Sequence, residues 1–294
     1  MFQLEGYTDM YNMDSATLSK KTEIISRRKL PGEVLTTGKR TYEFIFVPNC
    51  GFLNSNMPLL SNCELRLSFD RATAEVALVQ NTGTVTTDLT SKVIAIKDCY
   101  AVTEYVSSEK LRDHFSRIES RPIKYQFDEC DVTLKSIPER MTNVRLDNIR
   151  GGNSPTCIFI GLIKTTALTG SFAESSVGFH RNKVESINIT LNGRTVNGYP
   201  IQVSESPVNV MYNFFDVTNR FMNPLAGECP SYSTFKCNWL YAHKFEAEST
   251  SQGWLGVHLT LTEAFTEPYT LVIWSSYNSA ITIDKFHQVE KVFL

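Results

Sequence analysis

The side chains best able to do chemistry are five histidines and seven cysteines, and their spacing is the first thing to read. Cys237 precedes His243 by six residues, which is not an interval at which tetrahedral zinc is held. No CxxC pair occurs, and the remaining histidines, His114, His180, His258 and His287, have no cysteine or histidine at ligand spacing. His258 stands between Val257 and Leu259, so in a strand it points away from both, toward solvent or an interface. Asp128 and Glu129 are adjacent, and neighbouring strand residues face opposite ways, so the two carboxylates cannot converge on one substrate atom. GxSxG, HExxH, Walker and GxGxxG patterns are all missing. The glycine-rich "IRGGNS" (149–154) lacks the lysine and the following helix of a phosphate cradle and reads as a loop. No residue is assigned a catalytic, cofactor-binding or metal-ligating role, and an enzyme is not expected. A sugar-binding face could be built from Trp239, Tyr241, Trp254 and Trp274, but such rings more commonly fill the space between two sheets.

Charge and cysteine usage narrow the class further. With 29 basic and 31 acidic residues the net charge is −2, unlike a dedicated nucleic-acid binder. One basic cluster, Lys20, Lys21, Arg27, Arg28 and Lys29, reads as a solvated or partner-facing segment, and no specific nucleic acid is expected. The cysteines are odd in number and sparsely spaced, which argues for free thiols in a reducing compartment rather than a disulfide framework. Residues 1–20 are polar and acidic, unlike a secretory leader, and no apolar run reaches membrane-spanning length. An Asn188-Ile189-Thr190 sequon falls inside a strand-like alternation and reads as chance.

The elements that would carry these residues are mostly strands. Period-two alternation marks "TYEFIFV" (41–47), "ELRLSF" (64–69), "AEVALV" (74–79), "SKVIAIKDCYAVTEYV" (91–106) and "IKYQFDECDVTLKSI" (123–137). "TCIFIGLIKTTAL" (156–168) is a long apolar strand. Residues 183–203 alternate through Val184, Ile187, Ile189 and Leu191 to Asn192-Gly193, a dipeptide that favours a tight hairpin because both residues tolerate positive φ. Further strands lie in "STFKCNWLYAHKF", "GWLGVHLTLTEAF" and "YTLVIWSSY"; after the apolar run Leu271 to Trp274 a polar turn is expected, then Ile281 and Ile283 two apart. A helix is expected at 107–115, capped by Ser107 or Ser108; "PVNVMYNFFDVTNRF", where Val210, Phe214 and Val217 share a face, fits a second helix or an irregular crossover. Strands at intervals with short helices in the connections describe an all-β sandwich. Residues 121–294 hold enough strands for one eight-stranded jelly roll, whereas residues 1–120 hold about five.

Order along the chain adds a resemblance. "LLSNCELRLSFDRATAEVALV", "KVIAIKDCYAVTEYVSSEKLRDH", "RPIKYQFDECDVTLKSIPE", "CIFIGLIKTTALTGSFAESSVGFHRNKVESINITLNGRTV" and "SAITIDKFHQV" occur in the order of similar blocks in the double-jelly-roll major capsid proteins of Polinton/Maverick elements and adintoviruses. The resemblance covers roughly residues 41–294. It implies a structural protein with no cofactor, two rolls side by side, and three copies forming a pseudo-hexagonal capsomer of an icosahedral shell. Its implied partners are the chain's own copies as a homotrimer, neighbouring capsomers, and a penton or minor capsid protein. It places the protein in a virion capsid assembled inside the host cell, not secreted. Because the first forty residues match no block, the expected division is an incomplete first roll in 1–120 and a second roll in 121–294, with the chain beginning inside the first roll. A truncated or degenerate genomic copy would have this form. The rival reading is a β-sandwich binding module of host or viral origin, with carbohydrate as a candidate ligand.

Overall fold

A computed structural model describes residues 34–36, 39–41, 51–52, 58–59, 64–70, 72–77, 95–96, 99–100, 108–109, 121–149, 151–152, 154–171, 174, 179, 183–196, 198–205, 207–218, 240–245 and 253–293. In the first third these form a β1–β2 hairpin (Val34–Thr36 and Lys39–Thr41), a four-residue helix α1 (Ala74–Ala77) and extended or irregular backbone.

The architecture of the rest follows from one long strand. β12 (Tyr269–Ile283) pairs antiparallel with β3 (Ile123–Ile137) along all 15 residues of each, from Tyr269 opposite Ile137 to Ile283 opposite Ile123. The other edge of β12 is divided. Its first half takes β6 (Cys157–Lys164), which in turn carries β10 (Leu240–Lys244); its second half takes β13 (Val289–Phe293). The first sheet therefore runs β3-β12-β6-β10, with β13 in line with β6. In the second sheet β11 (Gly253–Leu261) lies between β7 (Val184–Leu191) and β4 (Asn143–Leu146), the latter edge continued by β5 (Gly151–Gly152). β8 (Arg194–Thr195) and β9 (Ile201–Gln202) both pair with β7. Lettering β3, β4, β6, β7, β9, β10, β11 and β12 from B to I gives the orders B-I-D-G and C-H-E-F. That pair of interleaved four-stranded sheets is a jelly roll.

Alternation supplies the core. Ile158, Ile160 and Leu162 of β6 and Leu271 and Ile273 of β12 face inward, as do Leu255, Val257 and Leu259 of β11, all at 0–1% exposure. Each such side chain contributes about 1.5–3 kcal/mol by leaving water. α3 (Pro207–Val217) begins with proline at a position where no backbone N–H is needed. Its buried Val210 and Phe214 dock on the sheet, with Phe214 edge-on to Phe159 at 6.2 Å.

The two ends of the roll differ. At one end three connections meet: the Arg140 amide donates to Phe265 O at 3.0 Å and the Thr165 amide to Pro268 O at 3.2 Å. Lys164 Nζ bridges Glu174 at 2.8 Å and Glu267 at 2.9 Å, while Lys183 pairs with Glu263 at 3.0 Å. The two carboxylates hold the Lys164 ammonium well above the ordinary lysine range. At the opposite end Asn192 and Gly193, with φ of 54° and 76°, make the expected tight turn between β7 and β8.

Several expectations are corrected. The strand expected at 64–69 is extended coil with Leu65, Leu67 and Phe69 exposed; alternation builds a strand only where another strand pairs with it, and none does among the described residues. Residues 74–77 are helical rather than strand, in keeping with Ala74, Glu75 and Ala77 as good helix formers. Within 91–106, residues 95–96 and 99–100 belong to no strand and are exposed; the others lie outside the described residues. Residues 165–169 leave the β6 strand as helix α2 (Thr165–Thr169), which turns Ala167 back onto Ile163 and Val272. The glycine loop at 151–152 is a short pairing with β11. The polar turn expected after Trp274 does not occur: β12 runs straight through, because Ser275, Tyr277 and Ser279 face inward and are buried. The remainder of 41–47 and most of 107–115 lie outside the described residues, of which residue 109 is helical.

Candidate assembly surfaces

Past Ser276, β12 leaves β6 behind and continues with β3 as a ribbon whose buried side chains form a cluster of their own. Ile123, Tyr125 and Ile283 pack there against Phe52 and Leu59, from the first third of the chain. Tyr125 Oη donates to the Pro58 carbonyl at 3.3 Å, and the Phe52 ring stands edge-on to Tyr125 at 5.9 Å and to Phe127 at 6.0 Å. Gly51 is pressed to the β3 main chain so closely that a Cβ would collide with the Asp128 carbonyl. On this inner side Glu129 accepts from the fully buried Ser279 hydroxyl at 2.8 Å and bridges Lys291 at 2.7 Å. Asp128 faces the other way and is exposed, as the strand reading of the adjacent pair requires.

The outer face of the first sheet is only partly covered. α2 brings Ala167 and Leu168 onto Ile163 and Val272, and Phe179 meets Trp274 edge-on at 5.4 Å. Gly161 makes room for this cover, since a Cβ there would lie 2.6 Å from Phe179 Cδ1 and 2.7 Å from Leu240 Cδ2. The Ser171 amide, just past α2, donates to Glu75 O at 3.1 Å, so α1 also reaches this side. The cover stops at β3, where Val132 and Leu134 are 49% and 54% exposed beside Trp274 and Val272. Cys130 and Cys157 sit opposite Ser276 from its two sides. Two strand spacings, about 9–10 Å, separate them, too far for a disulfide. Burial pushes the Cys157 thiol up, which keeps it protonated.

The outer face of the second sheet is polar. Period two places Trp254, Gly256, His258 and Thr260 on it, opposite the inward Leu255, Val257 and Leu259. His258 lies in register between Arg145 of β4 and Asn188 of β7. Its Nε2 meets Asp147 Oδ1 at 3.0 Å, and Arg145 Nε donates to Asp147 Oδ2 at 2.7 Å. Those two bonds, His258 first, hold the Asp147 carboxyl below the ordinary carboxylate range. Sequence spacing could not show this network, since Asp147 and His258 are 111 residues apart.

The named histidines and aromatics are dispersed by the fold. His258 does face outward, as expected. His243 sits in β10 with its ring edge-on to Phe245 at 5.0 Å, its Nε2 buried without a hydrogen bond, and burial lowers its pKa. His287 occupies the β12–β13 hairpin with φ of 59°. His114, His180 and Trp239 lie outside the described residues. Tyr241 is buried, Trp274 is on the outer face under Phe179, and Trp254 is 52% exposed, so neither described tryptophan fills the space between the sheets. Among the described residues no group of three or more His, Cys, Asp or Glu side chains is placed to hold a metal ion, and no helix is long and apolar enough to cross a membrane.

No known family profile matches the chain, and no curated protein matches it. Among solved structures it is similar to the Sputnik virophage determined by cryo-EM, with a TM-score of 0.37 and 13% identity over 58% of this chain and 39% of that one. It is also similar to PBCV-1 VP54 fitted into a reconstruction of virophage Sputnik, with a TM-score of 0.39 and 10% identity over 64% of this chain and 55% of that one. A third similar structure is the mavirus major capsid protein, with a TM-score of 0.34 and 10% identity over 64% of this chain and 44% of that one. The chain thus spans about two fifths to just over half the length of these proteins. The jelly-roll topology stands on its own strand pairing.

Proposed function

We propose that this chain is a structural major capsid protein, or the C-terminal portion of one, that associates as a homotrimer to form a pseudo-hexagonal capsomer. The observation that carries the reading is the β3–β12 ribbon: a complete jelly roll extends two of its strands into a second apolar cluster built with Phe52 and Leu59. An isolated sandwich has no use for such an extension, whereas a chain with a second body beside the roll does. The ordered resemblance of residues 41–294 to double-jelly-roll capsid proteins of virus-like transposons supports the same conclusion. In this reading residues 1–120 belong to the first, incomplete roll and residues 121–294 to the second. The work is done by shape and burial rather than catalysis, in a virion assembled within the host cell. Neighbouring capsomers and a penton or minor capsid protein are its further partners.

Obligate contacts of this kind commonly bury more than ~2,000 Å² in total. The exposed Val132 and Leu134 beside Trp274 are suitable for such burial. Sedimentation of the full chain, with negative-stain imaging, tests the proposal: trimers are expected, and a well-folded monomer that persists at high concentration overturns it.

A further inference from the structure

We propose that the outer face of the second sheet is a saccharide-binding surface, with Trp254 as the stacking platform and Asp147, Arg145 and His258 as partners for sugar hydroxyls. This inference does not depend on the shell reading. Trp254 is 52% exposed and has the two-residue strand β5 as its neighbour, opposite Gly151, which carries no side chain. Its own backbone is pinned from the other side, where its amide donates to Asn192 Oδ1 at 3.0 Å and its carbonyl accepts from the Asn192 amide at 3.0 Å. The indole is therefore mounted on a fixed backbone with one broad side open.

The next residues along the face complete the chemistry. Alternate strand residues are about 7 Å apart, so Trp254 and His258 bracket roughly 13 Å, with only Gly256 between them. Gly256 is itself buried, covered by the Thr190 side chain, and Asp147 Oδ1 lies 3.8 Å from where a Gly256 Cβ would be, so the surface between Trp254 and His258 is low. Arg145, Asp147 and His258 hold one another through the 2.7 Å and 3.0 Å bonds, so their remaining hydrogen-bonding capacity is presented in a set orientation. A hydroxyl-rich ring fits this arrangement: its C–H face covers the indole and its hydroxyls bond the planar polar groups. A protein partner fits it less well, because interface cores are depleted of charge and rich in contiguous apolar area, and Trp254 stands alone among ion-paired side chains.

The test is an array of neutral and sialylated oligosaccharides probed with the full chain, followed by titration of the best ligand by saturation-transfer NMR. Binding at millimolar affinity or better is expected, at least tenfold weaker in Trp254→Ala, partly kept in Trp254→Phe and weakened in Asp147→Asn. Lys135→Ala, exposed on the other sheet, is expected to bind as the parent does. Circular dichroism melts confirm that each variant folds, and Asp147→Asn keeps the test valid should Trp254→Ala unfold. Absence of any bound saccharide, or binding unchanged in both Trp254→Ala and Asp147→Asn, overturns the proposal. Sedimentation of Trp254→Ala reads the assembly state separately, so loss of sugar binding with trimers intact is distinguishable from failure of the capsid reading.

Discussion

A methyl group at Gly256 would collide with the Thr190 hydroxyl and approach Leu146 O to 3.2 Å. Gly256→Ala is therefore expected to cost about 1–3 kcal/mol in urea denaturation. Adding Thr190→Ala, which removes the obstructing oxygen, is expected to recover part of that loss; strictly additive losses would show that the collision is not the cause. His243 makes a second prediction. Burial holds its pKa below the ordinary 6.5, so between those two values the folded protein binds fewer protons than the unfolded chain. Stability from this group is full above 6.5 and declines as pH falls through that interval. Melting temperature should drop from pH 7.5 toward 5, and His243→Phe should flatten the drop. Asp147 acts in a separate window, because its lowered pKa gives stability that is lost only as pH falls below the ordinary 3.8. Neither effect was legible in the sequence, where His243 and His258 both sit in alternating runs and only three-dimensional neighbours tell them apart.

Strands were legible where they alternate between a core and water. β3 matches its expected span from Ile123 to Ile137, and Asn192-Gly193 forms the expected turn with both residues at positive φ. Nothing lies within 4 Å of a Cβ placed on Gly193, so Gly193→Ala probes backbone conformation alone. A loss of roughly 1–2 kcal/mol is expected, read as a lower denaturation midpoint with an unchanged slope. β12 was misread for a specific reason. Its serines look like a turn, yet Ser279 is buried because Glu129, on the paired strand, accepts a hydrogen bond from its hydroxyl. A buried hydroxyl with a distant partner leaves no local signal. The helical turns at 74–77 and 165–169 were hidden for a similar reason: short apolar stretches read equally well as strand or helix, and α2 is set by what it covers on β6 and β12.

At the scale of the whole molecule, the ribbon couples the roll to Phe52 and Leu59 through a few apolar side chains. Ile283→Ala should cost about 2–5 kcal/mol of that coupling. Limited proteolysis is then expected to cut between residues 41 and 120 while amide-exchange protection of residues 123–283 persists. Equal loss of protection throughout would mean that the two parts fold as one unit. The contact of the ribbon with Phe52 and Leu59 was not legible in the sequence, because it uses Tyr125 and Ile123, which look like any other strand residues.

The central position of β12 also bears on synthesis. The ribosome makes this strand after every other member of its sheet except β13; until it emerges β6 can pair only with β10, and β3 has no partner among the described strands. The β3 segment must therefore wait with its ladder groups unpaired until residues 269–283 have been made. Ribosome-bound chains stalled before residue 269 should be protease-sensitive within residues 123–137, and that segment should gain resistance once residues 269–283 have cleared the exit tunnel.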